Sequence, residues 1–289
     1  MPISHLLLAL AVVAVWGSNF VVIKFGLAEL PPFALATLRF ALSALPWALF
    51  IRRPAVAWWR LAAFGVLLGC GQFGLLFQAM RSDISPGLAS LVVQAQVFFT
   101  IALSLLFSGE RVRLMQVLAA LLALAGMGWI GWHGLQGSAE VHLLGLLLVL
   151  AAALCWAAAN LVARSAGRVD ALGFMVWSSL FAVPPLALIS ATLEGVAPVW
   201  LAVQHASGLA WAAVIWQALG NTLFGYGSWN WLLARHPAAT VTPMALLVPV
   251  FGFGSSALLL GEPLPGWKLA AAGLVMAGLG LNFVATRRA

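Results

Sequence analysis

Ten side chains that could recognise a small polar solute stand inside long apolar runs of this sequence. They are the amides Asn19, Gln72, Gln94, Gln96, Asn160, Gln217 and Asn221, the cation Arg39, and the aromatic residues Trp177 and Tyr226. An amide carries both an acceptor and donors. Gln217 and Asn221, one helical turn apart on one predicted face, could therefore present a carbonyl and an amide to a zwitterion. Gln94 and Gln96 point about 200° apart on an ideal helix and share a cavity only where the helix bends or unwinds. Arg39 has two readings. It snorkels to the headgroups, or it is a cavity cation that meets a carboxylate, since no acidic residue is predicted at its depth. For each amide, hydrogen bonding between helices competes with a binding role. Trp177 and Tyr226 are candidate cavity walls with a polar handle.

None of this resembles an enzyme site. There is no nucleotide loop and no spaced metal-ligand cluster, and His5, His133, His142, His205 and His236 all fall near predicted helix ends or loops. Cys70 and Cys155 lie inside apolar runs and suggest neither a disulfide framework nor a zinc site. No cofactor is expected. The net charge of +7 comes from basic residues scattered singly or in pairs, which argues against a nucleic-acid surface. With 64% hydrophobic residues, a soluble domain would expose large apolar patches, so the expected solvent is the lipid bilayer.

A span needs about 20 mainly apolar residues. Helices are predicted near 5–25, 33–51, 60–79, 86–107, 114–132, 142–163, 171–192, 208–233, 238–260 and 266–286, with an interfacial turn at Trp200, Leu201 and Val203 in the connection after the seventh. Residues 1–25 lack a basic leading region and read as the first span. With a cytoplasmic N-terminus, ten basic residues fall inside (Arg52, Arg53, Arg60, Arg111, Arg113, Arg164, Arg168, Arg235, Arg287, Arg288), against Lys24, Arg81 and Lys268 outside. That asymmetry predicts that both termini are cytoplasmic.

The chain also repeats itself. GLASLVVQAQVFFTIALSLLFSGE ends at Glu110 and ATVTPMALLVPVFGFGSSALLLGE ends at Glu262, each closed by Gly-Glu. Trp16 to Lys24 is echoed by Trp156 to Arg164. Five spans per half make the repeats inverted, over 1–135 and 136–289. The expected fold is an all-α integral membrane protein of ten transmembrane helices, an architecture suited to carrying a solute by alternating access. Glycines at 65, 69, 71 and 74 smooth the third span, and those at 220, 225 and 227 smooth the eighth. Pro243 and Pro249 interrupt the ninth, so the fourth and ninth spans are the preferred central pair.

The motifs VWGSNFVVIKFGL (15–27), PPFALATLRFALSALP (31–46), the Glu110 segment and LLVPVFGFGSSALLLGEPL (246–264) occur in order along the chain. In that combination the sequence resembles the drug/metabolite transporter superfamily and its EamA-type ten-helix exporters. Within that group it is similar to exporters of O-acetylserine and cysteine. The resemblance implies efflux of a small amino-acid metabolite across the bacterial inner membrane, driven by the proton gradient, with Asn19, Lys24, Arg39, Gln94 and Gln96 inside matching motifs. Gln78 and Arg81-Ser82-Asp83 depart from the narrower pattern and leave open a broad drug or metabolite exporter. A monomer contains the complete path, and lipid-facing glycines leave room for a dimer.

Overall fold

An unpaired peptide group in hydrocarbon finds no water, so apolar runs of this length must satisfy their backbone as helices. The computed structural model describes residues 1–108, 114–167, 169–236 and 238–287, and over them the chain is all-α, with one isolated bridge between Ile84 and Val141. Glu110, Arg111, Arg113, Arg168 and Arg288 lie outside the described residues. The ten spans begin with α1 Ile3–Leu27, α2 Pro32–Ala44, α3 Trp58–Ser82, α4 Pro86–Leu106 and α5 Leu114–Leu135. They continue with α6 Leu143–Ser165, α7 Ala171–Ile189, α8 over 208–235, α9 over 238–260 and α10 Gly266–Arg287. Nine helical runs among the described residues are long and apolar enough to cross a bilayer. In α8, Trp211, Trp216, Gln217, Gly220 and Asn221 dilute the apolar run.

Two boundaries differ from the sequence expectation. The regular part of α2 stops at Ala44, and a single 3₁₀ turn, Trp47–Leu49, follows Pro46. Proline has no N–H for the preceding turn and its ring crowds the carbonyl four residues back. After α7 the helix widens over Ser190–Gly195, and Gly195, at φ 84°, turns the chain into a separate helix, Val196–His205. That helix replaces the expected interfacial turn. It buries no residue and leaves Trp200 and Leu201 exposed, as suits a helix at a membrane surface.

The helices that correspond between the halves are broken in the same way. In α3 the turns widen to π geometry over Leu67–Gly74, and in α8 over Trp216–Phe224. In α4 a 3₁₀ turn occupies Val93–Ala95, and in α9 one occupies Thr242–Leu247. Pro243 and Pro249 account for the α9 break, each standing just inside the helix that follows it, where its missing N–H costs nothing. No proline forces the matching turn in α4. Glycines bring the helices close. A side chain at Gly69 would strike Ala182 of α7, and one at Gly126 of α5 would come within 2.9 Å of the Ala271 carbonyl of α10. Of the α8 glycines, Gly225 abuts the Trp16 indole of α1, whereas Gly227 meets nothing within 4 Å.

Candidate functional site

The four broken helices surround a cavity of about 620 Å³. Each break puts a polar group on its wall. From α3 the wide turns present Gln72 and Phe73, and from α8 they present Asn221. The 3₁₀ turn in α4 tightens the helix between Gln94 and Gln96, so both amides line the one cavity. Trp16 and Asn19 come from α1, Trp156 and Asn160 from α6, and Tyr226 from α8. Gln96 is held by Asn160, whose Nδ2 donates to Gln96 Oε1 at 2.9 Å and to Thr100 Oγ1 at 3.4 Å. The Trp16 indole donates at 3.2 Å to the Asn221 carbonyl, a backbone acceptor within the π segment.

Three of the sequence candidates lie elsewhere. Trp177 donates to the Ile51 carbonyl at 2.9 Å and stacks edge-on against Trp58, tying α7 to the connection after α2. Gln217 is fully buried away from the wall and donates to the Ala213 carbonyl at 3.2 Å. Asn221 reaches the wall and Gln217 does not. Within the π segment Thr222, five residues on, donates to the Gln217 carbonyl at 3.0 Å. Arg39 is 1% exposed and does not snorkel. It lies behind the wall with its guanidinium carbon 3.6 Å from the centre of the Phe73 ring.

The sequence reading missed two amides, Asn230 of α8 and Asn282 of α10, which also line the cavity. The signal was available, since both are amides inside apolar runs. The wall carries no charged side chain among the described residues. Four of its buried polar atoms have no hydrogen-bond partner in the protein: Asn19 Oδ1, Gln72 Oε1, Asn230 Nδ2 and Asn282 Oδ1. Native interiors satisfy nearly all such atoms, so an unpaired set on one cavity wall leaves donors and acceptors available to a polar solute or water.

The two ends of the cavity differ. A second cavity of about 470 Å³ shares Asn160 and Thr286 with the first and extends along Thr100, Ser104 and Arg164. It leads toward the end of the bundle that holds both chain termini. At the opposite end the helices are tied together. Gly261, at φ 66°, stops α9 in the left-handed conformation and turns Glu262 back toward α4. There Glu262 accepts from Ser85 Oγ at 2.5 Å and from the Gly87 N–H at 3.1 Å. Lys268, one of the basic residues expected outside, is wholly buried and pairs with both Glu140 and Glu262. Lys24 donates to the carbonyls of Met80 and Arg81 at 3.0 and 3.1 Å. Glu29 accepts from the Ser207 hydroxyl and N–H, both at 2.6 Å, and those bonds hold its carboxyl below the usual value.

The sequence matches the model of the EamA-like transporter family twice, over residues 3–132 and 143–284. It is 40% identical over 279 residues to a probable amino-acid metabolite efflux pump of Salmonella typhimurium, covering 95% of this chain and 93% of that one. A probable amino-acid metabolite efflux pump of Escherichia coli is 39% identical over 284 residues, covering 97% and 95%. A solved crystal structure, 21% identical, superposes over the whole of both chains with a TM-score of 0.64, a likeness of fold. With both halves matched and two relatives aligned along nearly its full length, this multi-pass membrane protein belongs to the EamA-like transporter family.

Proposed function

We propose that this protein exports small zwitterionic amino acids or their derivatives, of the cysteine and O-acetylserine kind, across the inner membrane by alternating access. The observation that carries the reading is the cavity between the broken helices, rich in amides, without charge and with four polar atoms unpaired. Amides that offer donors and acceptors suit a solute whose own charges cancel, whereas a cation exporter needs a buried acid. The names of the two efflux pumps add the substrate class. In this reading Asn19, Gln72, Gln94, Gln96, Asn160, Asn221 and Tyr226 meet the solute directly. Two five-helix units, 1–135 and 136–289, rock against each other, and both termini are cytoplasmic, so the cavity faces the cytoplasm and the Glu262–Lys268 ties close the outer end. Coupling to the proton gradient belongs to this reading, although the cavity wall offers no carboxylate for it among the described residues. A monomer is sufficient.

A second reading, a broad exporter of apolar compounds, draws on the aromatic part of the wall, where Trp16, Phe20, Phe73, Trp156 and Trp229 surround more space than cysteine alone fills. Purified protein in liposomes, given radiolabelled cysteine or O-acetylserine with and without a pH gradient, decides between the two. Saturable flux that rises with the gradient supports the first. No amino-acid flux in a folded preparation that moves apolar dyes supports the second.

A further inference from the structure

Arg39 is a buried cation that does not line the cavity. A guanidinium in the membrane interior is expensive and persists where it serves a function. Here it is 1% exposed, no carboxylate pairs with it among the described residues, and Nε and Nη1 have no hydrogen-bond partner. Its one side-chain hydrogen bond, Nη2 to Thr222 Oγ1, is long at 3.4 Å. What holds it is aromatic: the Phe73 ring at 3.6 Å and the Phe40 ring at 5.1 Å.

The position of Phe73 gives this arrangement a use. Its ring is part of the cavity wall while also covering the guanidinium, so one aromatic layer separates an unsatisfied cation from the solute space. Tyr226 stands on the same wall. Two of the partners of Arg39 stand on π segments, Phe73 in Leu67–Gly74 and Thr222 in Trp216–Phe224. A wide turn that migrates past a residue rotates its side chain by about 100°, the advance of one helical residue. Such a shift in α3 moves Phe73 off the guanidinium without unfolding the helix.

We infer that Arg39 is the specificity-determining cation for a substrate carboxylate, kept behind Phe73 until the carboxylate replaces the ring as its partner. The inference rests on the amino-acid reading for the identity of the solute, and on the structure alone for the covered cation. A guanidinium freed in a water-poor cavity selects for a carboxylate strongly, since a charged pair there is worth far more than at a surface.

Two measurements on the full-length protein test it. In liposomes, Arg39→Gln lowers cysteine flux at least 100-fold but that of cysteinamide, which lacks the carboxylate, less than threefold, and Arg39→Lys falls between. Equal loss of both solutes in R39Q would make Arg39 structural and overturn the proposal. The second measurement needs no transport. Phenylglyoxal modifies Arg39 slowly in the wild type and at least tenfold faster in Phe73→Ala, and acetate protects the F73A protein. If F73A fails to fold, Phe73→Leu takes its place. An Arg39 equally unreactive in wild type and variant, or acetate without effect, overturns the proposal. If the wild type moves neither solute while the modification pattern holds, the amino-acid reading fails and the carboxylate site stands.

Discussion

Gln94 and Gln96 face the same cavity although only one residue separates them. On a regular α-helix they would point to opposite sides, and the 3₁₀ turn at Val93–Ala95 is what brings them together. The local backbone, more than the choice of side chain, sets which amides line the cavity. Polar bonds inside membrane proteins average about 0.6 kcal/mol and reach roughly 1.7. Gln94→Ala and Asn221→Ala should therefore each raise the KM for the transported amino acid by about 3- to 20-fold. Liposome flux against concentration measures it, and an unchanged KM in both variants would remove these amides from the site. Gln96 and Asn160 share a bond, so the effects of their alanine variants should fall short of additive in the double variant.

Lys268 lies between two carboxylates and is fully buried. Removing one member of a buried charge network leaves the others uncompensated, at a cost of about 3–5 kcal/mol. Lys268→Met should lower the melting temperature in detergent markedly. The triple variant that also carries Glu140→Gln and Glu262→Gln should regain most of that loss. A Lys268→Met protein as stable as the wild type would mean that the ties carry no energy.

Glu29 is solvent-exposed and is held ionised by the Ser207 hydroxyl and N–H, so its folded pKa lies below its unfolded one. A depressed carboxylate contributes stability above the unfolded pKa and loses it as pH falls through the folded value. Ser207→Ala should raise the Glu29 pKa toward the ordinary glutamate range and shift the acid limb of unfolding to higher pH. Titration of carboxyl-labelled glutamate by NMR reads the pKa directly, and no upward shift would contradict the assignment.

Gly261 takes φ 66°, where a Cβ costs about 1–2 kcal/mol. Gly261→Ala should destabilise the protein by about that amount, and Gly261→Asn by less, since asparagine tolerates the left-handed region better than other side chains. Thermal melting of the two variants checks the order, and equal stability of wild type and G261A would contradict the turn.

Much of the fold was legible because lipid leaves the backbone few choices. The spans and the α9 break at Pro243 and Pro249 follow from hydropathy and from the missing proline N–H. The site was legible as a set of residue types: amides in apolar runs reach the cavity at Asn19, Gln72, Gln94, Gln96, Asn160 and Asn221. Their directions were not legible. An α-helical wheel put Gln217 beside Asn221, yet in a segment that widens to π geometry only Asn221 lines the cavity. Nothing in the local sequence announces that wide turn, which depends on packing against other helices. The burial of Lys268 was not legible for a related reason. Its partners Glu140 and Glu262 are supplied by chain segments brought together only in the folded bundle.

The most direct test of the central claim is solute counterflow. Liposomes loaded with unlabelled cysteine and diluted into a trace of labelled cysteine report whether a single cavity serves both sides. The account predicts a transient accumulation of label above equilibrium in the wild type, reduced at least several-fold in a folded Gln94→Ala, Asn221→Ala double variant. Label that only equilibrates without overshoot, or an overshoot unchanged in the double variant, would contradict it.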